Sequence, residues 1–429
     1  MNGWKQLYQM MVDGSRAHAR WELEMSTNIM RSRKRLTVLL LLLLPILLGG
    51  MAIAAGDGPG LPSVIGGKSA YMPSHYTTLI FFASVFVGVC AGLITGCIGA
   101  GGGFIIAPAL MSAGVKGILA VGTDLFHIFA KAIMGSVLHR KLGNISVPLA
   151  VTFLVGAIIG STLGGMLNRY LYDLNPVLSD LFITSVYVFI LGFLSFYAVI
   201  DYLKSSRQSG DAERGGAVEN VPPMGARLQA INLPPMITFD EGVTPGGRKI
   251  SALFLVMSGL IVGFAASIMG VGGGFLTFPI FVYGLGVSSM TTVGTDIFQI
   301  VFTAGYSAIS QYAIYGFVFY TLAMGMLIGS LIGVQIGSLV TRVVSGMMIR
   351  GFFALAVTAG FINRFFALPE KLQSLHYLNI SKQTGAVLNT VGNSLFFLVI
   401  GAFTLWVIWV FFKNLNVLRS EGHSHEYAE

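Results

Sequence analysis

Gly99-Ala100-Gly101-Gly102-Gly103-Phe104 is followed by Pro108 and then by Val121-Gly122-Thr123-Asp124-Leu125-Phe126. The same series returns as Gly270-Val271-Gly272-Gly273-Gly274-Phe275, Pro279 and Val293-Gly294-Thr295-Asp296-Ile297-Phe298, with a single inserted residue between the two registers. A glycine triplet alone is weak evidence. Two copies, with proline and Val-Gly-Thr-Asp following in the same order at matching distances, mark an internal duplication. Further on, Gly156, Gly160 and Gly164 match Gly325, Gly329 and Gly333. Their four-residue spacing lines up one small-residue face on a helix, suited to close helix packing.

Working outward, each triplet stands between a long apolar run and a short one. The long runs fall at about 78–99, 118–139, 146–166, 180–203, 250–270, 290–313, 316–340, 346–367 and 392–412, each near the roughly 20 residues that cross a bilayer as a helix. The short pieces, about 103–113 and 275–286, have half that length. Glycine frees the backbone from helical geometry, so the helix is expected to break at each triplet. Broken backbone at membrane depth is tolerated only inside protein or beside a water-filled cavity. A half-helix restarting at Phe104 or Phe275 would turn unpaired N–H groups and its positive end toward that cavity, as an anion site does. The plainer reading, that glycines only bring helices close, suits the spaced set after Gly156 and Gly325. For the triplets, short segments in both halves favour the centre of a transporter.

The composition agrees. Of 429 residues 54% are hydrophobic and 10% charged, with a mean hydropathy of +0.77, whereas soluble domains carry about 25% charged residues. Lipid is therefore the expected solvent. The net charge of +8 comes without a zinc finger, an RNA-binding signature or a long basic stripe, which excludes nucleic acid as the partner and fits loops facing the cytoplasm. Cys90 and Cys97 share one apolar run and read as packing residues. No disulfide framework, metal pair or cofactor motif is visible.

Charge also orients the chain. Residues 1–35 form a basic extension ending in Arg31, Arg33, Lys34 and Arg35, and an apolar stretch at 36–56 follows. Ala52-Ile53-Ala54 imitates a signal-peptidase site, but the long charged region and full spanning length favour a retained helix. Repeat 1 is expected at 78–203, a proline-rich polar linker at 204–249, repeat 2 at 250–367, a further transmembrane helix at 392–412 and a tail at 413–429. If the short pieces dip and return, the halves run parallel. If each crosses, 18 basic residues fall inside and six outside, with Lys131 and Arg350 embedded, and the positive-inside rule prefers this arrangement. Each half then has an odd number of crossings, so the second is inverted. The fold class expected is an all-α polytopic membrane protein of two inverted repeats, each with a broken half-helix, and both termini cytoplasmic.

Within the membrane, Asp124, His127 and Lys131 share one helix face, and their equivalents are Asp296, Gln299 and Thr303. A charge at mid-membrane costs at least about 2.5 kcal/mol and so needs a partner or a function. Lys131 reads either as counter-charge for an anion or as partner of Asp124 two turns away. His127 reads as donor or proton carrier. Asp124 and Asp296 recur by symmetry and lean toward holding freed backbone N–H groups, with proton coupling as the alternative. Thr123 and Thr295 are ambiguous, since membrane threonines often bond their own backbone.

The paired Gly-x-Gly-Gly-Gly-Phe, Pro and Val-Gly-Thr-Asp units, with the duplicated layout over roughly 78–412, resemble the sulfite exporter TauE/SafE family of membrane permeases. The resemblance implies a non-enzymatic carrier of sulfite or organosulfonates such as sulfoacetate across the bacterial inner membrane, usually outward. It places Gly101–Gly103, Gly272–Gly274, Thr123 and Thr295 along the substrate path; from the embedded polar face itself, His127, Lys131 and Gln299 are further substrate-site candidates. The implied partners are a small inorganic or organosulfur anion and the lipid bilayer, with a homodimer left open. A passive anion channel and a non-transporting receptor or scaffold are the other readings. Neither a Gly-x-Ser-x-Gly elbow nor His-Glu-x-x-His is present to suggest an enzyme.

Overall fold

The structure, a computed structural model, describes residues 78–98, 103–141, 145–207, 223–240, 246–340, 343–344 and 346–414, together with Ser63 and Gly66. The extension at 1–35, the apolar stretch at 36–56, most of the tail, Gly101 and Gly102 lie outside the described residues. The first repeat consists of α1 Thr78–Ile98, α2 Gly103–Ser112, α3 Gly117–Lys141, α4 Val147–Leu174 and α5 Pro176–Arg207. A connecting segment supplies α6 Pro223–Gln229 and the antiparallel strands β1 Met236–Phe239 and β2 Arg248–Ser251. The second repeat consists of α7 Ala252–Met269, α8 Gly274–Pro279, α9 Ser289–Tyr306, α10 Tyr320–Val340 and α11 Gly346–Ser374, and α12 Lys382–Lys413 follows.

Local chemistry sets these boundaries. Ser251, Ser288 and Ser381 cap α7, α9 and α12, accepting from the N–H groups of Leu253, Thr291 and Thr384. Proline limits the half-helices from within: Pro108 lies in α2 and Pro279 ends α8. Past Pro279 the chain widens into a π turn, Ile280–Leu285. α9 also loosens into a π turn at Ser307–Tyr312 before α10 begins. Seven of the described helices are long and apolar enough to cross a membrane: α1, α4, α5, α7, α10, α11 and α12. α3 and α9 carry the embedded polar residues, which accounts for their absence from that set. The protein is an all-α polytopic membrane protein.

The two repeats interlock. α1 packs along α10, and α4 packs along α7. The spaced glycines make both seams: Gly156, Gly160 and Gly164 face the carbonyls of Val256, Leu260 and Phe264, while Gly259 and Gly263 face those of Phe153 and Ala157. The other seam repeats the pattern, with Gly329, Gly333 and Gly337 against Val85, Val89 and Leu93, and Gly88 and Gly92 against Met326 and Ser330. A methyl at nearly all of these positions would fall inside van der Waals contact with a backbone carbonyl, so the backbones can meet only where the side chain is hydrogen.

Contact order along the seams gives direction. α1 and α10 advance together, as do α4 and α7, so both pairs are parallel. Equivalent helices of the two repeats run the other way. Gly192, Ser195 and Tyr202 of α5 meet Phe361, Thr358 and Gly351 of α11, an antiparallel order. α3 and α9 are antiparallel as well, since Phe129 lies on Gly305 and Gly122 lies on Tyr312, just beyond α9.

The linker expected at 204–249 is folded over its second part. Gly225 packs on Gly286, and Gln229 donates to the Leu285 and Gly286 carbonyls. Arg248 donates to the Gly286 carbonyl at 2.9 Å, and the buried Asp240 accepts from both the N–H and the hydroxyl of Ser288. This hairpin therefore clamps the end of the second broken helix, where terminal carbonyls would otherwise lack donors.

Candidate functional site

The glycine breaks meet at the interface of the repeats. α7 ends on Gly270 (φ 80°), and Gly272 (φ 68°) and Gly273 (φ 92°) carry the chain through left-handed backbone into α8. That conformation favours glycine over any residue with a Cβ. Across the interface, a methyl on Gly103 would stand 2.9 Å from the Val271 Cα. The rings of Phe104 and Phe275, first residues after the two triplets, lie 6.2 Å apart. Ile128 of α3 wedges against both Gly103 and Gly272. The two half-helices thus start from one place.

Breaking a helix leaves carbonyls to satisfy, and two tyrosines do so at the end of α7. Tyr187 of α5 donates to the Met269 carbonyl, and Tyr312, in the π turn after α9, donates to that of Ser267, each at 2.5 Å. Both rings are fully buried. Arg364 of α11, only 2% exposed, donates to the Pro108 carbonyl at 3.2 Å and to the Ser112 hydroxyl at 2.7 Å. It caps the C-terminal end of α2, where cations are favoured. Arg248 does the same for the second broken helix. Sequence reading missed these groups, because a tyrosine or an arginine in an apolar helix does not announce which distant carbonyl it serves.

The candidate residues fall into two groups. Thr123 accepts from the Phe319 N–H at 2.9 Å, and Thr295 accepts from the Ser146 N–H at 3.0 Å. Each threonine of Val-Gly-Thr-Asp therefore holds the chain where it enters the fourth helix of the other repeat. The second group is the polar face of α3 and α9. His127 is fully buried, with Nδ1 3.4 Å from Asp124 Oδ1 and Nε2 2.9 Å from the Ser330 hydroxyl on α10. The other Asp124 oxygen, Oδ2, is buried without a hydrogen-bond partner. Lys131 Nζ reaches the Thr95 hydroxyl at 3.4 Å, near the end of α1 that leads into the first triplet.

In the second repeat the polar face closes on itself. Gln299 donates to Asp296 Oδ1 at 2.9 Å and accepts from Thr303 at 2.7 Å. The Asp296 carboxylate lies over Gly274, with Oδ2 2.9 Å from where a methyl on Gly274 would stand. The Asp296 carboxyl group thus already occupies the N-terminal end of α8. Among the described residues no group of His, Cys, Asp and Glu could hold a metal ion.

Among the described residues, seven helices long and apolar enough to span, with two glycine breaks that meet, define a polytopic membrane protein. The sulfite exporter TauE/SafE profile matches residues 84–364, and the chain belongs to that family. A probable membrane transporter protein of Bacillus subtilis, YjnA, is 23% identical over 59% of this chain and 87% of its own length. A second from that organism, YunE, is 22% identical over 61% and 89%. Sulfite exporter TauE/SafE family protein 6 of Arabidopsis thaliana is 33% identical over 26% of this chain and 24% of its own. No solved structure matches.

Proposed function

We propose that this chain is a secondary transporter that moves a small sulfur-containing anion, such as sulfite or an organosulfonate, outward across the bacterial inner membrane by alternating access. The observation that carries the reading is the convergence of both glycine breaks at Gly103 and Val271, with Lys131 held beside the first. Lysine supplies fixed positive charge for the anion, and the N-terminal end of α2 supplies backbone donors. Thr123 and Thr295 act as joints between repeats, and Asp296 holds the start of α8. The order Asp–His–Ser at Asp124, His127 and Ser330 is that of a hydrolase triad. Ser330, however, sits wholly buried inside α10, where helical N–H groups are already bonded and cannot hold an oxyanion.

Inverted repeats fit the antiparallel run of α5 against α11 and of α3 against α9, and the positive-inside rule is what puts both termini in the cytoplasm. Parallel halves would set those equivalent helices side by side in the same direction. The moving bodies, however, are not the sequence halves. Rocking one repeat against the other would tear both glycine seams, which bring backbones into contact. The bodies that slide are the mixed pairs α1 with α10 and α4 with α7, and the broken helices meet between them.

The test is uptake into liposomes holding the purified protein, with sulfite, sulfoacetate, sulfate and lactate as probes. Saturable flux of a sulfur anion that exchanges across the membrane supports a carrier. Non-saturating flux makes it a channel, and no flux of any of the four returns the reading to a receptor.

A further inference from the structure

The duplication allows each polar position to be compared with its own counterpart in the same chain. His127 and Gln299 are counterparts, and so are Ser330 and Ser161, by the register that pairs Gly329 with Gly160. The first pair of positions is joined across the repeats: His127 Nε2 lies 2.9 Å from Ser330 Oγ. The second is not, for Gln299 bonds within α9 and the buried Ser161 hydroxyl has no partner.

The hydrogen bonds on the two sides also differ in kind. Gln299 donates through nitrogen to Asp296 and accepts through oxygen from Thr303, and an amide cannot exchange those roles by gaining a proton. His127 can. When neutral, Nδ1–H points to Asp124 Oδ1 and Nε2 accepts from the Ser330 hydroxyl. When an incoming proton adds to Nε2, that N–H donates to Ser330 Oγ, and the Ser330 hydroxyl turns to the Leu327 carbonyl, 3.1 Å away. Both protonation states are fully bonded, with only a hydroxyl rotation between them.

Ionisable groups on α3 and on the elements packed around it set the surroundings of His127. Asp124 and Lys131 share its helix, and each lies in the field of the other. α10 brings Tyr320, α1 brings Cys90 and Cys97, and α9 brings Asp296, all buried. α5 brings Tyr187, which lies in the field of Asp124 and of Arg364 on α11. From the π turn comes Tyr312, α4 contributes Arg169 near its end, and α2 and α7 contribute no ionisable side chain. A proton on His127 adds one positive charge to the face of α3 that holds Lys131, beside the first glycine break.

We propose that His127 is the proton-binding group of this carrier, so that anion and proton bind in linkage and the first repeat alone carries the coupling. This rests on the transporter reading above. By linkage, a proton that raises anion affinity is itself held more tightly when the anion is bound. Anion affinity therefore falls as pH rises, by up to about tenfold per pH unit while the imidazole loses its proton.

The experiment uses the full chain in liposomes, with sulfoacetate as probe and a pH-sensitive dye in the lumen, across a series from about pH 5 to pH 8. Wild type is expected to move protons with sulfoacetate and to bind it more weakly as pH rises. H127Q installs the second repeat's own residue. It should bind at the weak alkaline level at every pH, with no proton movement. S330A removes the hydroxyl that serves both states but keeps the imidazole, and its pH profile should shift while remaining pH-dependent. It decides the matter if H127Q fails to fold. Sulfoacetate flux without proton movement, or a wild-type pH profile in H127Q or S330A, overturns the coupling and leaves the transporter reading standing. Absence of sulfoacetate flux in wild type overturns both for this anion.

Discussion

The hydroxyl of Thr123 accepts a hydrogen bond from the backbone N–H of Phe319 at 2.9 Å, although 196 residues separate them. Thr295 makes the reciprocal bond to Ser146. A motif threonine in each repeat thus fixes the start of a helix in the other, and the relation suggests what its removal would do.

Thr123→Val keeps the shape of the side chain and leaves the Phe319 N–H buried without an acceptor. The expected cost is about 1–3 kcal/mol, read as a lower melting temperature in detergent. Thr295→Val should cost a similar amount at Ser146, and the double variant should lose roughly the sum. A T123V protein as stable as wild type would mean that Phe319 finds another partner.

Lys131→Ala should lower anion affinity at least about tenfold, the value of one lost charge-assisted contact, while the protein stays monodisperse. Flux measured across a concentration series separates this from a fall in the amount inserted. Unchanged flux would assign Lys131 to the fold alone.

Gly156→Leu should push α4 from α7 and abolish both stability and flux, because the Val256 carbonyl occupies the space a side chain would need. Gly401→Ala is the control: nothing lies within 4 Å of its added methyl, and alanine is the better helix former by about 1 kcal/mol. Equal damage at both sites would show that the seam is not what makes Gly156 necessary.

Arg364→Met removes the cation at the C-terminal end of α2 while keeping most of the bulk. It should cost about 1.5–3 kcal/mol for hydrogen bonds from a charged donor. Lys371→Met, which breaks the partly exposed pair with Asp180 at 3.3 Å, should cost no more than about 1 kcal/mol. Melting curves of the two variants side by side test whether burial sets the difference.

The sequence made most of this architecture legible. The expected runs at 103–113 and 275–286 appear as Gly103–Ser112 and Gly274–Leu285, that at 118–139 appears as α3, Gly117–Lys141, and that at 346–367 appears as α11, which runs on to Ser374. Glycine was readable because it acts locally: Gly270, Gly272 and Gly273 impose a break wherever the chain goes. Arg364, Tyr187 and Tyr312 were not readable, since their partners Ser112, Met269 and Ser267 are set only by the tertiary arrangement. The spaced glycines sat between these cases. Their pattern promised a packing face, but only the fold could say that the face belongs to the other repeat. The linker's prolines and charges suggested solvent, yet Asp240 and Arg248 fold back onto the end of the second broken helix.

The glycine seams also bear on how the chain is made. Cys97 of α1 donates to the Gly337 carbonyl of α10, 240 residues later. When the ribosome releases α1 into the bilayer, the helix that fits its stripe has not been synthesised. It waits in lipid through the insertion of the whole first repeat and most of the second. Chain arrest before α10 would strand α1 with its small-residue stripe uncovered. Biogenesis of this protein is therefore a problem of delayed partnership, in which a late crossing completes an early one.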